Sequence, residues 1–277
     1  MNMKKYLSKS DVIGSIRYQL RHPSGDNKVW IIVEGETDQK LFTKLIDGDC
    51  VEVEISHGGL SSLLDIVSVL LKETNRILGI RDADFLHLEG KKETAENIFL
   101  TDSHDVELMI ISCDKAYLAV VAEYPNRENN PLSLRDKILK SNAFIGGLRW
   151  INNTDSLELN FQGLGFGNFY NGKTVVLDEE KCLRVVLERS PNKKKVISKE
   201  EILSKIKNVS DFLNLCTGHD FQKAFALCVN SNSRHEVRDV DIGKAFRLAY
   251  GFEDFKKSNL YRQLREWPGH QSFPLFK

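Results

Sequence analysis

Val29-Trp30-Ile31-Ile32-Val33 is a continuous apolar run, the composition expected of a strand buried on both faces. Thr37 to Ile46 comes next, with Leu41, Phe42 and Leu45 at helical spacing. Val51 to Ile55 alternates apolar and acidic positions, which predicts a strand with one face open to solvent. From Leu60 to Lys72, the residues Leu60, Leu63, Leu64, Val67, Leu70 and Leu71 form one apolar stripe, the mark of an amphipathic helix. Ile77 to Ile80 and Asn97 to Leu100 predict two further strands. Strands separated by helices of this length pair in parallel through right-handed crossovers. The expected fold class is therefore α/β, a parallel sheet with helices on both faces.

After about residue 121 the pattern changes. Glu123 to Pro131 is polar with two prolines and predicts a linker. Leu157 to Phe161 alternates like a strand. The helical pattern then dominates, over 179–188, 198–207, 220–228, 239–250 and 255–267. The predicted division is a catalytic core over 1–121 and a mixed, mainly helical region over 122–277 that binds nucleic acid or a partner.

Charge narrows the function classes. Lys+Arg and Asp+Glu each number 39, so the 277-residue chain is formally neutral. Global attraction to a polyanion is absent, and any nucleic-acid binding must come from a local patch or a metal ion. The five cysteines form no C-x-x-C pair, which argues against a zinc framework or a disulfide scaffold. No apolar run approaches a membrane span, and Lys4-Lys5 is not succeeded by a signal-type apolar stretch, so a cytoplasmic location is expected.

The most informative residues stand at predicted strand ends. Glu34 and Asp38 come after the first strand in Val33-Glu34-Gly35-Glu36-Thr37-Asp38, and Asp82 and Asp84 after the third in Ile80-Arg81-Asp82-Ala83-Asp84. Ligands of open α/β sheets bind beyond the carboxyl ends of the strands. In an extended backbone Asp82 and Asp84 point to one face. Two carboxylates about 4 Å apart repel by about 4 kcal/mol at an effective dielectric of 20. A hard cation, Mg²⁺ or Mn²⁺, removes that conflict and suits phosphodiester hydrolysis.

These motifs resemble the Toprim catalytic core, and within it the OLD-like branch, where a Glu and an Asp four apart join a D-x-D. Thr101-Asp102-Ser103-His104-Asp105-Val106-Glu107 and Gly218-His219-Asp220-Phe221 resemble the standalone Toprim-like proteins encoded beside ABC-type ATPases, the group that holds the AriB-type effectors of PARIS anti-phage systems. The catalytic motifs cover residues 29–110. Arg149-Trp150, Asn160-Phe161 and Gly218-His219-Asp220 extend the resemblance over most of the chain.

The resemblance implies a Mg²⁺-dependent endonuclease, a toxic effector of antiviral defence. It implies RNA, tRNA above all, as substrate, with DNA possible. It also implies control by a separate ABC-type ATPase and a homodimer when active. Glu34 becomes the central catalytic carboxylate, Asp38, Asp82 and Asp84 metal ligands, and Glu107 a further ligand from the next helix. The lysine that assists catalysis in the wider OLD family has no assigned equivalent. The alternatives are an OLD-like DNA nuclease, or a catalytically silent Toprim-like module that binds nucleic acid or a partner.

Other signals weigh less. Gly167 to Thr174 fits G-x-x-x-x-G-K-[ST], yet strand-like Val175-Val176-Leu177 stands next where a P-loop needs a helix. A hairpin of 166–170 with 173–177 about an Asn171-Gly172 turn is expected instead. His219-Asp220 reads as a helix cap, or as a helix N-terminus that receives a substrate phosphate. His57, before Gly58-Gly59, marks a turn where a phosphate could approach, although a simple turn is the plainer reading. Candidate backbone contacts are His219, Lys223, Lys193, Lys194 and Lys195, with Lys256, Lys257, Arg262 and Arg265 near the end of the chain. Tyr261 and Trp267 are candidates for base stacking.

Overall fold

The computed structural model describes residues 7–25, 27–46, 50–124 and 130–276. The chain divides into two compact units. The first comprises Met1–Leu86, Lys91–Asp102 and Gly251–Lys277, and the second comprises His87–Gly90 and Ser103–Tyr250. The first unit opens with α1 (Lys9–Leu20), β1 (Val29–Val33), α2 (Glu36–Leu45), β2 (Val51–Ile55), α3 (Gly59–Leu70), β3 (Ile77–Arg81) and β4 (Ile98–Leu100). The second holds α4 (Val106–Ser112), α5 (Asp114–Ala122), α6 (Pro131–Asp155), the short strands β5 (Tyr170–Asn171) and β6 (Val176–Leu177), α7 (Glu179–Glu188), α8 (Lys199–Ile206), α9 (Phe212–Leu215), α10 (Gly218–Asn230) and α11 (Asp239–Ala249). The chain then returns to the first unit with α12 (Phe252–Phe255) and α13 (Asn259–Glu266).

The four strands of the first unit pair in parallel in the order β2-β1-β3-β4. All five side chains of β1 are buried, as its unbroken apolar run requires, while β2 alternates. From β1 the chain moves one way to β2 and then the other way to β3, so right-handed crossovers place α2 and α3 on opposite faces. On one face Val12 and Ile16 of α1 and Leu63, Ile66, Val67 and Leu70 of α3 close over Trp30, Ile32, Ile77 and Ile98. Each such buried side chain contributes about 1.5–3 kcal/mol. Gly79 makes the close approach of α3 to β3 possible, because a Cβ there would stand 2.8 Å from Leu63 Cδ2 and 2.7 Å from Ile98 Cδ1.

Sequence would assign Gly251–Lys277 to the C-terminal region and 103–121 to the core; the structure groups them the other way. The cause is the start of α13. The Asn259 and Leu260 amides donate to Asp102 just beyond β4, at 2.6 and 2.7 Å, and Asp102 supplies the anion that a helix N-terminus favours. Phe255 packs against Phe42 of α2, with ring centroids 6.2 Å apart.

In the second unit, Tyr117 of α5 meets Phe221 and Phe225 of α10 and Phe246 of α11, with ring centroids 6.0–6.5 Å apart. The predicted linker at 123–131 falls in part outside the described residues, and Pro131 opens the 25-residue helix α6. Leu157 to Phe161 forms no strand: Leu157 O accepts from Lys194 N, and Asn160 N donates to Ser190 Oγ. The predicted hairpin is shorter and its turn wider, since Tyr170 pairs with Leu177 and Asn171 with Val176. No helix among the described residues is long and apolar enough to cross a membrane.

Candidate active site

The register brings the ends of the two acidic strands together. Val33 lies opposite Ile80, so Glu34 and Asp82 leave adjacent strands at the carboxyl rim of the sheet. The Asp82 amide donates to Glu34 Oε1 at 3.3 Å. His57 leaves β2 on the same rim, in a turn that it enters at φ +52°. The loop after β3 is held from below, because buried Thr101 accepts the Ala83 amide at 3.0 Å, and Ala83 is itself fully buried.

The D-x-D is not extended. Asp84 takes the left-handed conformation, φ +48°, so the expected shared face of Asp82 and Asp84 is replaced by a turn. That turn carries the Asp84 carboxylate back to Arg81, with Nη2 to Oδ2 at 2.9 Å. Arg81 is 8% exposed, its Nε donates to the Asp82 carbonyl at 2.9 Å, and its Nη1 reaches Glu93 at 3.3 Å. Glu93 Oε1 in turn accepts the Thr94 and Ala95 amides. Asp38 Oδ2 accepts the Gly35 amide at 2.9 Å and so closes the first turn of α2.

Burial pushes the Glu34 carboxyl above its ordinary pKa, and the Asp84 carboxylate adds to the rise. The Asp82 amide and Arg81 oppose it, and Asp38 adds a smaller upward push. A carboxylate drawn toward neutrality by burial and by other carboxylates is relieved by a hard dication, so the donor set fits Mg²⁺ or Mn²⁺ chemically. Among the described residues, no three His, Cys, Asp or Glu side chains converge into a ready ligand set. Arg81 and Glu93 are site residues that the motif pattern does not single out. Their signal in the sequence is a lone arginine closing a buried strand, a position where a charge needs partners.

The remaining candidates lie in the second unit. Glu107 is buried in the first turn of α4. His219 is exposed in the first turn of α10. The α10 N-cap is Thr217, not Asp220, which is buried and takes a two-pronged bond from Arg149 at 2.9 and 3.2 Å. The Gly218 amide donates to Asp105 Oδ2 at 2.7 Å while Asp105 Oδ1 caps α4 through the Leu108 amide at 2.8 Å. The Gly218 amide, which the alternative phosphate reading would offer to a substrate, is thus taken by the protein's own carboxylate.

Lys223 stands 3.7 Å from Asp220 and lines an open cleft of about 380 Å³ with Gly163 to Gly167 and Arg238. Lys193 bonds the Ser190 carbonyl at 3.2 Å, Lys194 pairs with Glu158 at 3.0 Å and Lys195 with Glu201 at 2.5 Å.

The local structure rules out the P-loop. The Lys173 and Thr174 amides fold onto Asn171 Oδ1, and the chain runs on into β6 rather than into a helix. Gly172 is needed because its backbone rests on α10, where a Cβ would lie 2.2 Å from the Leu227 carbonyl oxygen.

In the first unit Trp267 is buried and so offers no stacking face, and Tyr261 is half-buried against Phe252, Phe255 and Phe276. Lys256, Lys257, Arg262 and Arg265 are exposed there, the two lysines in the turn between α12 and α13.

In comparisons with known proteins, no family model and no curated protein matches the chain.

Proposed function

We propose that the chain is a Mg²⁺- or Mn²⁺-dependent Toprim-type endonuclease that acts on RNA, tRNA in particular, as a toxic effector of anti-phage defence under the control of an ABC-type ATPase. The observation that carries this reading is the half-buried Glu34 carboxylate on the Asp82 amide across the β1–β3 pair, with Asp84 close enough to raise the Glu34 pKa. Glu34, Asp82 and Asp84 would hold the ion, with Asp38 behind them. When bound, the ion supplies Lewis-acid polarisation of the scissile phosphoryl group.

The chain's own residues do the rest. Glu34 would accept the proton of the attacking water at Oε2 while Oε1 stays on the Asp82 amide. Thr101, through the Ala83 amide, fixes the loop that presents Asp82. A neutral chain with a local basic turn at Lys256-Lys257 suits a folded RNA, recognised by shape and loop bases, better than long duplex DNA.

The test is expression without a partner. Wild type is expected to arrest growth and produce discrete new ends in total RNA, and Glu34→Ala to abolish both while retaining the wild-type circular dichroism. Identical ends and growth for the two proteins would refute the nuclease reading. New ends confined to plasmid DNA would reassign the substrate.

A further inference from the structure

We propose that Arg81 is a positioning residue that keeps the carboxylate cluster folded without metal, and that it hands Asp84 over when a divalent cation binds; this rests on the nuclease reading above. The structure places one guanidinium where three separate groups claim it. Nε is committed to the Asp82 carbonyl, Nη2 to Asp84 and Nη1 to Glu93.

The two carboxylate partners differ in kind. Glu93 is 15% exposed and anchored by the Thr94 and Ala95 amides, whereas the Asp84 side chain is 46% exposed. An anchored partner keeps its bond, and an exposed partner on a turn can exchange it. Asp84 is also the carboxylate that acts most strongly on Glu34. Arg81 pairs with the Asp84 carboxylate, and it competes with any cation for that charge.

The exchange needs no rebuilding of the fold. Glu93 and the Asp82 carbonyl can retain Arg81, so Asp84 can turn away without stranding a buried arginine, the event that makes broken ion pairs costly. In the metal-free protein the cluster carries a built-in counter-charge. In the loaded protein that counter-charge opposes the ion by repulsion and makes affinity depend on how firmly Arg81 is held elsewhere.

Two substitutions should move affinity in opposite directions. Arg81→Gln removes both the competitor and the repulsion, so Mn²⁺ and Mg²⁺ should bind about tenfold more tightly, or 1.4 kcal/mol, while the metal-free protein melts at a lower temperature. Glu93→Gln keeps an acceptor for the Thr94 and Ala95 amides but weakens the second hold on Arg81, so the metals should bind several-fold more weakly. Titration calorimetry and melting curves of the full chain with each metal alone give both readouts, and Glu93→Gln carries the test if Arg81→Gln does not fold. If wild type binds neither metal, the nuclease reading fails. If wild type binds and the folded variants bind with wild-type affinity, Arg81 is a structural residue only and the proposal fails.

Discussion

Asp105 holds two helices with one carboxylate, and its removal gives a quantitative test. Oδ1 accepts the Leu108 amide as the cap of α4, and Oδ2 accepts the Gly218 amide at the start of α10, both in buried surroundings. Loss of an N-cap costs about 1 kcal/mol, within a range of roughly 0.5–2. A buried N–H left without a partner costs about 1–3 kcal/mol. Asp105→Ala should therefore destabilise the second unit by about 2–4 kcal/mol. For a cooperative unit of roughly 150 residues, that corresponds to a fall of about 6–12 °C in its melting transition. Asp105→Asn keeps one acceptor oxygen and should lose about half as much. Scanning calorimetry on the full chain measures both. A fall below about 2 °C for Asp105→Ala would refute the double-cap account and reopen the start of α10 as an anion site.

Two further outcomes are expected from the same structure. The folded-state pKa of Glu34 is raised, so its contribution to stability is full below the ordinary value of 4.5 and is lost as the pH rises through the folded value. In chelator at pH 7, Glu34→Gln should therefore melt higher than wild type, with the gap closing below about pH 4; a gap that widens on acidification would overturn the sign. Under the proposed nuclease reading, Lys173→Ala should leave RNA cleavage and growth arrest near wild type, because Lys173 sits in the β5–β6 turn; ATP binding by the pure chain that this substitution abolishes would favour a P-loop instead.

The sheet was legible because its strands are short and either continuously apolar or strictly alternating, and β1 and β2 differ in pattern as their burial differs. The carboxylate rim was legible because strand ends are fixed once strands are. The long helix α6 was not. It is buried on most sides, with Asn142 and the Gly146-Gly147 pair inside its core-facing length, so it shows no amphipathic stripe. The turn at Asp84 was hidden for a different reason: the Thr101 bond to the Ala83 amide joins residues 18 apart, and the Arg81–Asp84 pair lies outside the D-x-D pattern. The partner of α13 was equally invisible, since nothing local in Asp102 announces a helix start 157 residues later.

That separation sets an order of events during synthesis. The bonds from Asp102 to the Asn259 and Leu260 amides span 157 and 158 residues. At roughly 5–20 residues per second, a ribosome needs about 8–30 s to make the intervening chain. The first unit, with the acidic rim it carries, therefore cannot close while the second is still being made. A nascent chain lacks the α13 partner of Asp102 throughout that interval, and the first unit gains it only once residues 259 and 260 have been made.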